Sequence, residues 1–198
     1  MFNLGLFLSY AFVVSFTPGP NNIMSLYNAS QKGFKKNMAF CLGVSSGFFV
    51  LMSLCSFFNF WLQSALPTIQ PYMKFVGASY MLYLAYKIFK SKPPTENGDH
   101  QDSIINFQTG FMMQFVNPKA ILFGITIVST FIMPYFTAWY ILLIFACFLA
   151  LVALMSTSSW ALFGSMFTKL LSKYHKPFNV AMSGLLVYTA ISISGIMH

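Results

Sequence analysis

The chain has 198 residues, of which 57% are hydrophobic and only 7% are charged. Soluble domains carry about 25% charged residues, so the composition excludes an ordinary soluble domain and indicates a polytopic membrane protein. The net charge of +8 comes from eleven lysines against three acids. Because the lysines fall in short loops and not on one basic face, we expect no nucleic-acid partner.

The hydrophobic stretches predict an all-α integral membrane protein with six transmembrane helices, because about 20 apolar residues cross the hydrocarbon core of a lipid bilayer. The N-terminus lacks the basic region of a signal peptide, and a proline-rich stretch stands where a cleavage site would be. We therefore expect the first segment to be retained. The predicted spans are Leu4–Tyr27, Met38–Leu62, Tyr72–Phe89, Phe107–Met133, Phe136–Phe167 and Phe178–Ile196.

Two of these spans are interrupted. In the first, Pro18, Gly19 and Pro20 cannot continue an α-helix, and in the fourth, Asn117 and Pro118 form a second break. Broken backbone at membrane depth is tolerated only inside protein or beside a watery cavity. Matching interruptions in two halves of a chain are a sign of a transporter binding site.

Lysine placement predicts the topology. Alternate loops hold nine lysines, and only Lys74 lies near the opposite side. The positive-inside rule then puts the basic loops in the cytoplasm and both termini outside. The nine are Lys32, Lys35, Lys36, Lys87, Lys90, Lys92, Lys169, Lys173 and Lys176.

Residues 1–198 are expected to form a single transporter domain of two inverted three-helix repeats. The halves cover about 1–92 and 104–198, and a polar cytoplasmic loop over 91–103 joins them. Three spans per half force the halves into opposite orientations. Pro67 and Pro71 are expected to bracket the turn between the second and third spans.

Lys119 is the sharpest functional signal. A lysine at the centre of a span costs about 2.5–3.5 kcal/mol on insertion scales, and such residues usually face the bundle interior. No acid lies in any predicted span. Lys119 is therefore available to a ligand carboxylate, or it is neutral at rest. The alternative is a shifted span from which Lys119 reaches the membrane interface.

Polar groups at the breaks extend this site. The segment from Asn21 restarts a helix, whose unpaired N–H groups and positive dipole end suit an anion. Asn21, Asn22 and Asn117 add amide donors and acceptors, with helix capping as the alternative. The small residues of 43–47 indicate close helix packing. The hydroxyls of 156–159 either line a pathway or bond their own helix.

Signals for an enzyme are missing. The spans contain no paired carboxylates, and His100, His175 and His198 fall in loops or at the chain end. No metal-binding or phosphate-binding motif occurs. We expect no catalytic residue, no metal site and no cofactor.

The three cysteines lie within apolar stretches and are expected to be small buried hydrophobes. A membrane thiol-redox protein would need two of them close together. Cys41 and Cys55 are about 21 Å apart along one helix, although Cys147 could meet one of them. The other rival is a non-transporting scaffold, for which helix breaks and a buried lysine would be needless costs.

The two break motifs resemble the signatures of the LysE/RhtB family of amino-acid exporters, and the similarity extends over essentially the whole chain. The first-half signature is Thr17-Pro18-Gly19-Pro20-Asn21, and the second is Gln114-Phe115-Val116-Asn117-Pro118-Lys119. Stretches at 77–80, 129–131, 160–164 and 185–188 are most similar to the cysteine/O-acetylserine branch. The resemblance implies proton-coupled export of small neutral amino acids across the bacterial inner membrane by a homo-oligomer.

We hypothesise that Lys119 and the helix start at Asn21-Asn22 hold the substrate carboxylate, with Asn117 orienting it. Carbonyls freed at the breaks would hold the amino group, and Lys119 would carry the coupling proton. Alternative functions are an exporter of threonine/homoserine-type or other amino acids and the thiol-redox protein. The complete predicted substrate-binding set is Pro18, Gly19, Pro20, Asn21, Asn22, Asn117, Pro118 and Lys119.

Overall fold

The computed structural model describes residues 2–91, 106–166 and 174–194. Within these ranges the chain forms eight α-helices and one π-helical turn, with no strand, which confirms the all-α prediction for this part of the chain. The helices are α1 (Leu4–Phe16), α2 (Pro20–Lys32), α3 (Phe34–Phe57), α4 (Asn59–Lys90), α5 (Phe107–Val116), α6 (Pro118–Ile127), α7 (Trp139–Met166) and α8 (His175–Ser194), and the π-helical turn Val128–Ile132 continues α6.

By length and apolarity, α3 and α7 can each cross a membrane. A third span is present if α5, α6 and the π-helical turn count as one helix, bent by 65° at the break. α1 is apolar but has only 13 residues. Among the described residues, two to three of the six predicted spans are thus supported by these criteria, and the others stay a prediction.

Both predicted helix breaks are present. α1 ends at Phe16, and Thr17 is extended with ψ 147°, because a residue that precedes a proline is pushed out of the helical region. α2 then begins with Pro20, at a position where the missing N–H costs nothing. The second break repeats this pattern, since Asn117 is extended and α6 begins with Pro118.

The predicted turn at Pro67 and Pro71 is wrong. α3 ends at Phe57, the chain turns at Phe58, and α4 runs through both prolines to Lys90. Each proline removes only one backbone donor, which a helix in an apolar setting can accommodate. The two prolines are four residues apart and lie on one face, so the helix continues past them.

The core has two large apolar clusters on either side of the breaks and a small third one of Ala29, Cys41 and Ala161. One joins α1, α3, α6 and α7 around Phe7, Met52 and Leu149. The other joins α2, α3, α4, α5 and α8 around Met24 and Met81. The region of the breaks therefore lies where the two clusters meet.

Glycines allow α3 to pack closely on α5. A Cβ on Gly43 would lie 2.1 Å from the Phe107 carbonyl oxygen, and one on Gly47 would lie 2.5 Å from that of Phe111. Neither position has room for a side chain. The packing interpretation of the small residues at 43–47 is confirmed.

The cysteines are only partly as expected. Cys41 and Cys55 are buried, but Cys147 is exposed, and all three are free thiols. The burial prediction is wrong for Cys147 because an apolar residue of a membrane helix is stable on its outer face too. Beyond Ser91, the predicted polar loop lies outside the described residues, as do Lys92, Lys169, Lys173, His100 and His198.

Candidate functional site

The two helix breaks meet through side-chain amides. Asn21 Nδ2 donates to Gln114 Oε1 at 2.9 Å, and Gln114 Nε2 donates back to Asn21 Oδ1 at 3.3 Å. Asn117 Nδ2 donates to the same Asn21 oxygen at 3.4 Å. Residues almost one hundred positions apart are thereby joined at one point, which links the two halves of the chain.

A cavity of about 50 Å³ lies beside this junction. One water needs roughly 10–15 Å³ of such space, so the cavity admits a few waters and must widen to take an amino acid. Its apolar wall is Val14, Val44, Phe48, Ala120, Phe123 and Ala153. Its other wall is Ser15, Gly19, Pro20, Asn21, Asn22, Asn117, Lys119, Ser156 and Thr157.

Six of the eight predicted site residues line this cavity, and two do not. Pro18 is exposed at the first break. Pro118 is buried against α4, where a Cβ on Gly77 would lie 2.4 Å from the proline Cγ. The structure therefore gives both prolines a role in forming the breaks, without contact to the cavity.

Lys119 reaches across from α6 to the break between α1 and α2. Its ammonium donates to Thr17 Oγ1 at 2.9 Å and to the Thr17 carbonyl oxygen at 3.1 Å. A Cβ on Gly19 would lie 2.9 Å from the lysine Nζ. Since Gly19 is extended, with φ −163°, the backbone there does not need glycine, and a side chain would displace the flexible end of Lys119.

Side chains satisfy the carbonyl end of α1. The last carbonyls of a helix have no intrahelical donor, and those from Val14 to Thr17 are all bonded from elsewhere. The Val14 carbonyl accepts from the Thr17 hydroxyl at 2.7 Å, and the Phe16 carbonyl accepts from the Trp160 indole at 3.3 Å. The Ser15 carbonyl accepts from Asn22 and from Ser156, at 2.8 Å each. The Thr17 carbonyl accepts from Asn22 at 3.0 Å and from Lys119 at 3.1 Å. This end carries the negative pole of the α1 dipole.

The helix starts at the two breaks differ in whether a side chain caps their backbone N–H groups. At α6, the Asn117 side chain caps the helix by accepting from the Lys119 backbone N–H at 3.1 Å. At α2, Gly19 offers no side-chain cap, and the first intrahelical bond comes from Ile23. The backbone N–H groups of Asn21 and Asn22 are left without an intrahelical acceptor. These N–H groups are the anion-binding feature that the sequence predicts at the start of α2, and anion binding there stays a prediction.

Several cavity residues were not singled out from the sequence. Ser15 contributes its carbonyl, for which a sequence carries no signal. Ser156 and Thr157 line the cavity, and the pathway interpretation of 156–159 stays a prediction. Ser156 bonds across to α1, and Thr157 Oγ1 bonds Ala153 of its own helix at 2.9 Å. Ser156 and Thr157 could be identified from the sequence because they are polar residues in a hydrophobic span.

A buried polar cluster extends from the cavity wall along α2. Ser25 Oγ donates to the Thr157 carbonyl at 2.8 Å, and Asn37 Nδ2 donates to Ser25 Oγ at 2.9 Å. Asn28 Nδ2 in turn donates to Asn37 Oδ1 at 2.6 Å. These contacts fix α2 against α3 and α7.

Comparison with known proteins identifies the family of this chain. Residues 12–194 match the family model described as LysE type translocator. The chain belongs to this family. It is 36% identical over 190 residues, 96% of each chain, to the cysteine/O-acetylserine efflux proteins of Escherichia coli (strain K12) and of two Shigella, S. flexneri serotype 5b (strain 8401) and S. sonnei (strain Ss046). No solved structure matches.

These comparisons confirm the resemblance inferred from the break motifs, including the similarity to cysteine/O-acetylserine exporters. Membership of the LysE type translocator family agrees with a transporter and not an enzyme. Both sequence signatures lie within the matched residues.

Proposed function

We propose that this LysE type translocator exports small neutral amino acids, with cysteine and O-acetylserine as its substrates, from the cytoplasm across the bacterial inner membrane. The observation that carries the proposal is the Lys119 ammonium beside the uncapped start of α2, in a cavity where two helix breaks meet. The named activity of relatives that cover 96% of the chain supports it.

The substrate carboxylate binds between Lys119 and the backbone N–H groups of Asn21 and Asn22. A hydrogen bond to a charged group contributes about 1.5–3 kcal/mol, and no acid in the described residues competes for the lysine. Asn117 orients the carboxylate through its bond to Asn21. The apolar wall around Phe48 accommodates a short side chain once the cavity widens.

Six spans in two inverted halves form the carrier, with α1–α2 and α5–α6 as broken spans. Corresponding spans of the two halves pack on each other, since α3 contacts α7 and α4 contacts α8, and this supports the two-half arrangement. The symmetry is imperfect, since α7 lies along α2 whereas α3 lies along α5. The basic loops face the cytoplasm and both termini face outward.

The proton is the coupling ion in this proposal, Lys119 changes protonation during the cycle, and the carrier is a homo-oligomer. Proton coupling through Lys119 has a direct test in the pH dependence of export. A Lys119→Met variant that exports at the wild-type rate with the wild-type pH dependence contradicts both roles of this residue.

Mass spectrometry of the growth medium tests the substrate assignment. Cells that overexpress the chain are compared with cells carrying an empty vector, Lys119→Met or the control Lys74→Met, a lysine that lies in a separate groove. We expect enrichment of cysteine or O-acetylserine with the wild type and with Lys74→Met only. Enrichment of threonine or homoserine instead would favour that branch of exporters.

The thiol-redox alternative is disfavoured by the cysteines. All three are free, and Cys147 is exposed whereas Cys41 and Cys55 are buried. A variant in which all three are alanine should therefore export normally. Loss of export in that variant, with the protein still inserted, would revive the redox function.

A further inference from the structure

The carbonyl end of α1 already holds one primary ammonium. Thr17 supplies both contacts to Lys119 Nζ, through its hydroxyl at 2.9 Å and its carbonyl at 3.1 Å. Thr17 is exposed, whereas Asn22, which also donates to the Thr17 carbonyl, is buried. We refer to these two oxygens of Thr17 as the ammonium cradle.

The substrate's own ammonium needs such a cradle. A zwitterionic amino acid brings a carboxylate and an ammonium together, and the described residues contain no carboxylate to receive the latter. Neutral oxygens at the negative pole of a helix are the remaining partners. Among the carbonyls from Val14 to Thr17, only that of Thr17 accepts from a cation in the described part of the chain, Lys119. A ligand carboxylate can attract this lysine and so leave the carbonyl open to the substrate ammonium.

We propose that Thr17 is the substrate's ammonium-binding residue and that Lys119 occupies its place when the carrier is empty. On binding, the substrate ammonium takes the hydroxyl and carbonyl of Thr17, while the Lys119 ammonium moves to the substrate carboxylate at the start of α2. The cradle holds one ammonium in both states, so it is never left without a cation. This inference rests on the proposed function.

Gly19 lies on the path of this exchange. A Cβ there would come within 2.9 Å of Nζ and 3.1 Å of Cδ of Lys119. The lysine side chain therefore moves along the bare glycine backbone from Thr17 towards Asn21.

Removal of Lys119 should open the cradle to a ligand that has an ammonium but no carboxylate. The probe is cysteamine, measured by calorimetry on the purified chain in detergent under reducing conditions. Wild-type protein should bind it weakly, because Lys119 fills the cradle. Lys119→Met should bind it about tenfold more tightly or better, the effect of one charge-assisted hydrogen bond.

Thr17 variants show whether the gain in cysteamine affinity depends on the oxygens of the cradle. Adding Thr17→Val to Lys119→Met removes the hydroxyl, one of the two oxygens of the cradle, at nearly constant shape and should reduce the gain, whereas adding Thr17→Ser should keep it in full. If the Lys119→Met protein is not monodisperse, Lys119→Leu replaces it, because this variant also removes the ammonium from the cradle. No gain on removal of Lys119, or a gain that Thr17→Val leaves undiminished, overturns the inference.

The proposed function fails by a different result. If wild-type protein neither binds nor exports any amino acid, the exporter assignment is lost. If it exports amino acids but the cysteamine gain is absent, only the role of Thr17 is lost. N-acetylcysteine, which lacks the ammonium, should bind the wild type more weakly than cysteine because it cannot enter the cradle.

Discussion

Asn22 ties the first helix break together, and its removal has a calculable cost. Its side-chain amide donates to the Ser15 carbonyl at 2.8 Å and to the Thr17 carbonyl at 3.0 Å, and its oxygen lies 3.1 Å from the Ser156 hydroxyl. Hydrogen bonds inside membrane proteins average about 0.6 kcal/mol. Asn22→Ala should therefore lower the free energy of unfolding by about 1–2 kcal/mol.

The cost stays this small because each carbonyl keeps a second donor. Ser15 keeps the Ser156 hydroxyl at 2.8 Å, and Thr17 keeps Lys119. In the double variant Asn22→Ala/Ser156→Ala, the part-buried Ser15 carbonyl loses both protein donors, and leaving it unsatisfied costs up to about 3 kcal/mol. The double variant should thus be destabilised by more than the sum of the two single variants.

Unfolding by sodium dodecyl sulfate in mixed micelles measures these energies, with Ser159→Ala as the matched control. Ser159 lies on α7 like Ser156 but bonds only Met155 of its own helix, so its loss should change stability by less than about 0.5 kcal/mol. Strict additivity of Asn22→Ala and Ser156→Ala, or a double variant milder than the sum, would refute the shared-carbonyl reasoning.

Three further substitutions test the packing and the cavity. Gly43→Ala should cost about 1–3 kcal/mol of stability through overpacking, whereas the control Gly184→Ala, whose Cβ would meet nothing within 4 Å, should be neutral or stabilising in the same unfolding assay. Gly19→Ala should leave the Tm nearly unchanged but weaken cysteine binding in calorimetry, because the displaced group is the flexible end of Lys119; unaltered affinity would contradict the proposed place of Lys119. Ala153→Leu should fill the cavity and stop export while the purified protein stays monodisperse, and export at the wild-type rate would mean that substrate passes elsewhere.

Local backbone chemistry made the breaks predictable from the sequence. Pro18, Pro20 and Pro118 cannot take a place inside a helix without loss of a hydrogen bond, and each break occurs where the sequence indicates. The same rule failed at Pro67 and Pro71, since α4 continues through them. Proline marks a weak point in a helix, and the surrounding packing decides whether the chain bends there.

The site was predictable in its charged and amide residues but not in its backbone. Lys119, Asn21 and Asn117 stand out because polar side chains are rare in hydrophobic spans. The Ser15 and Thr17 carbonyls act through atoms that every residue has, so only the three-dimensional path of α1 identifies them. Burial was also unpredictable, because an apolar span does not distinguish an exposed residue such as Cys147 from a buried one.

Flux through purified protein is the most direct test of the central claim that Lys119 binds the carboxylate of an exported amino acid. Liposomes containing wild-type, Lys119→Met or Lys74→Met protein are loaded with labelled cysteine, and its release is followed over a range of concentrations. We predict saturable release with the wild type and with Lys74→Met, and a reduction of about tenfold or more with Lys119→Met. No saturable release from the wild type, or equal release from Lys119→Met, would contradict the account.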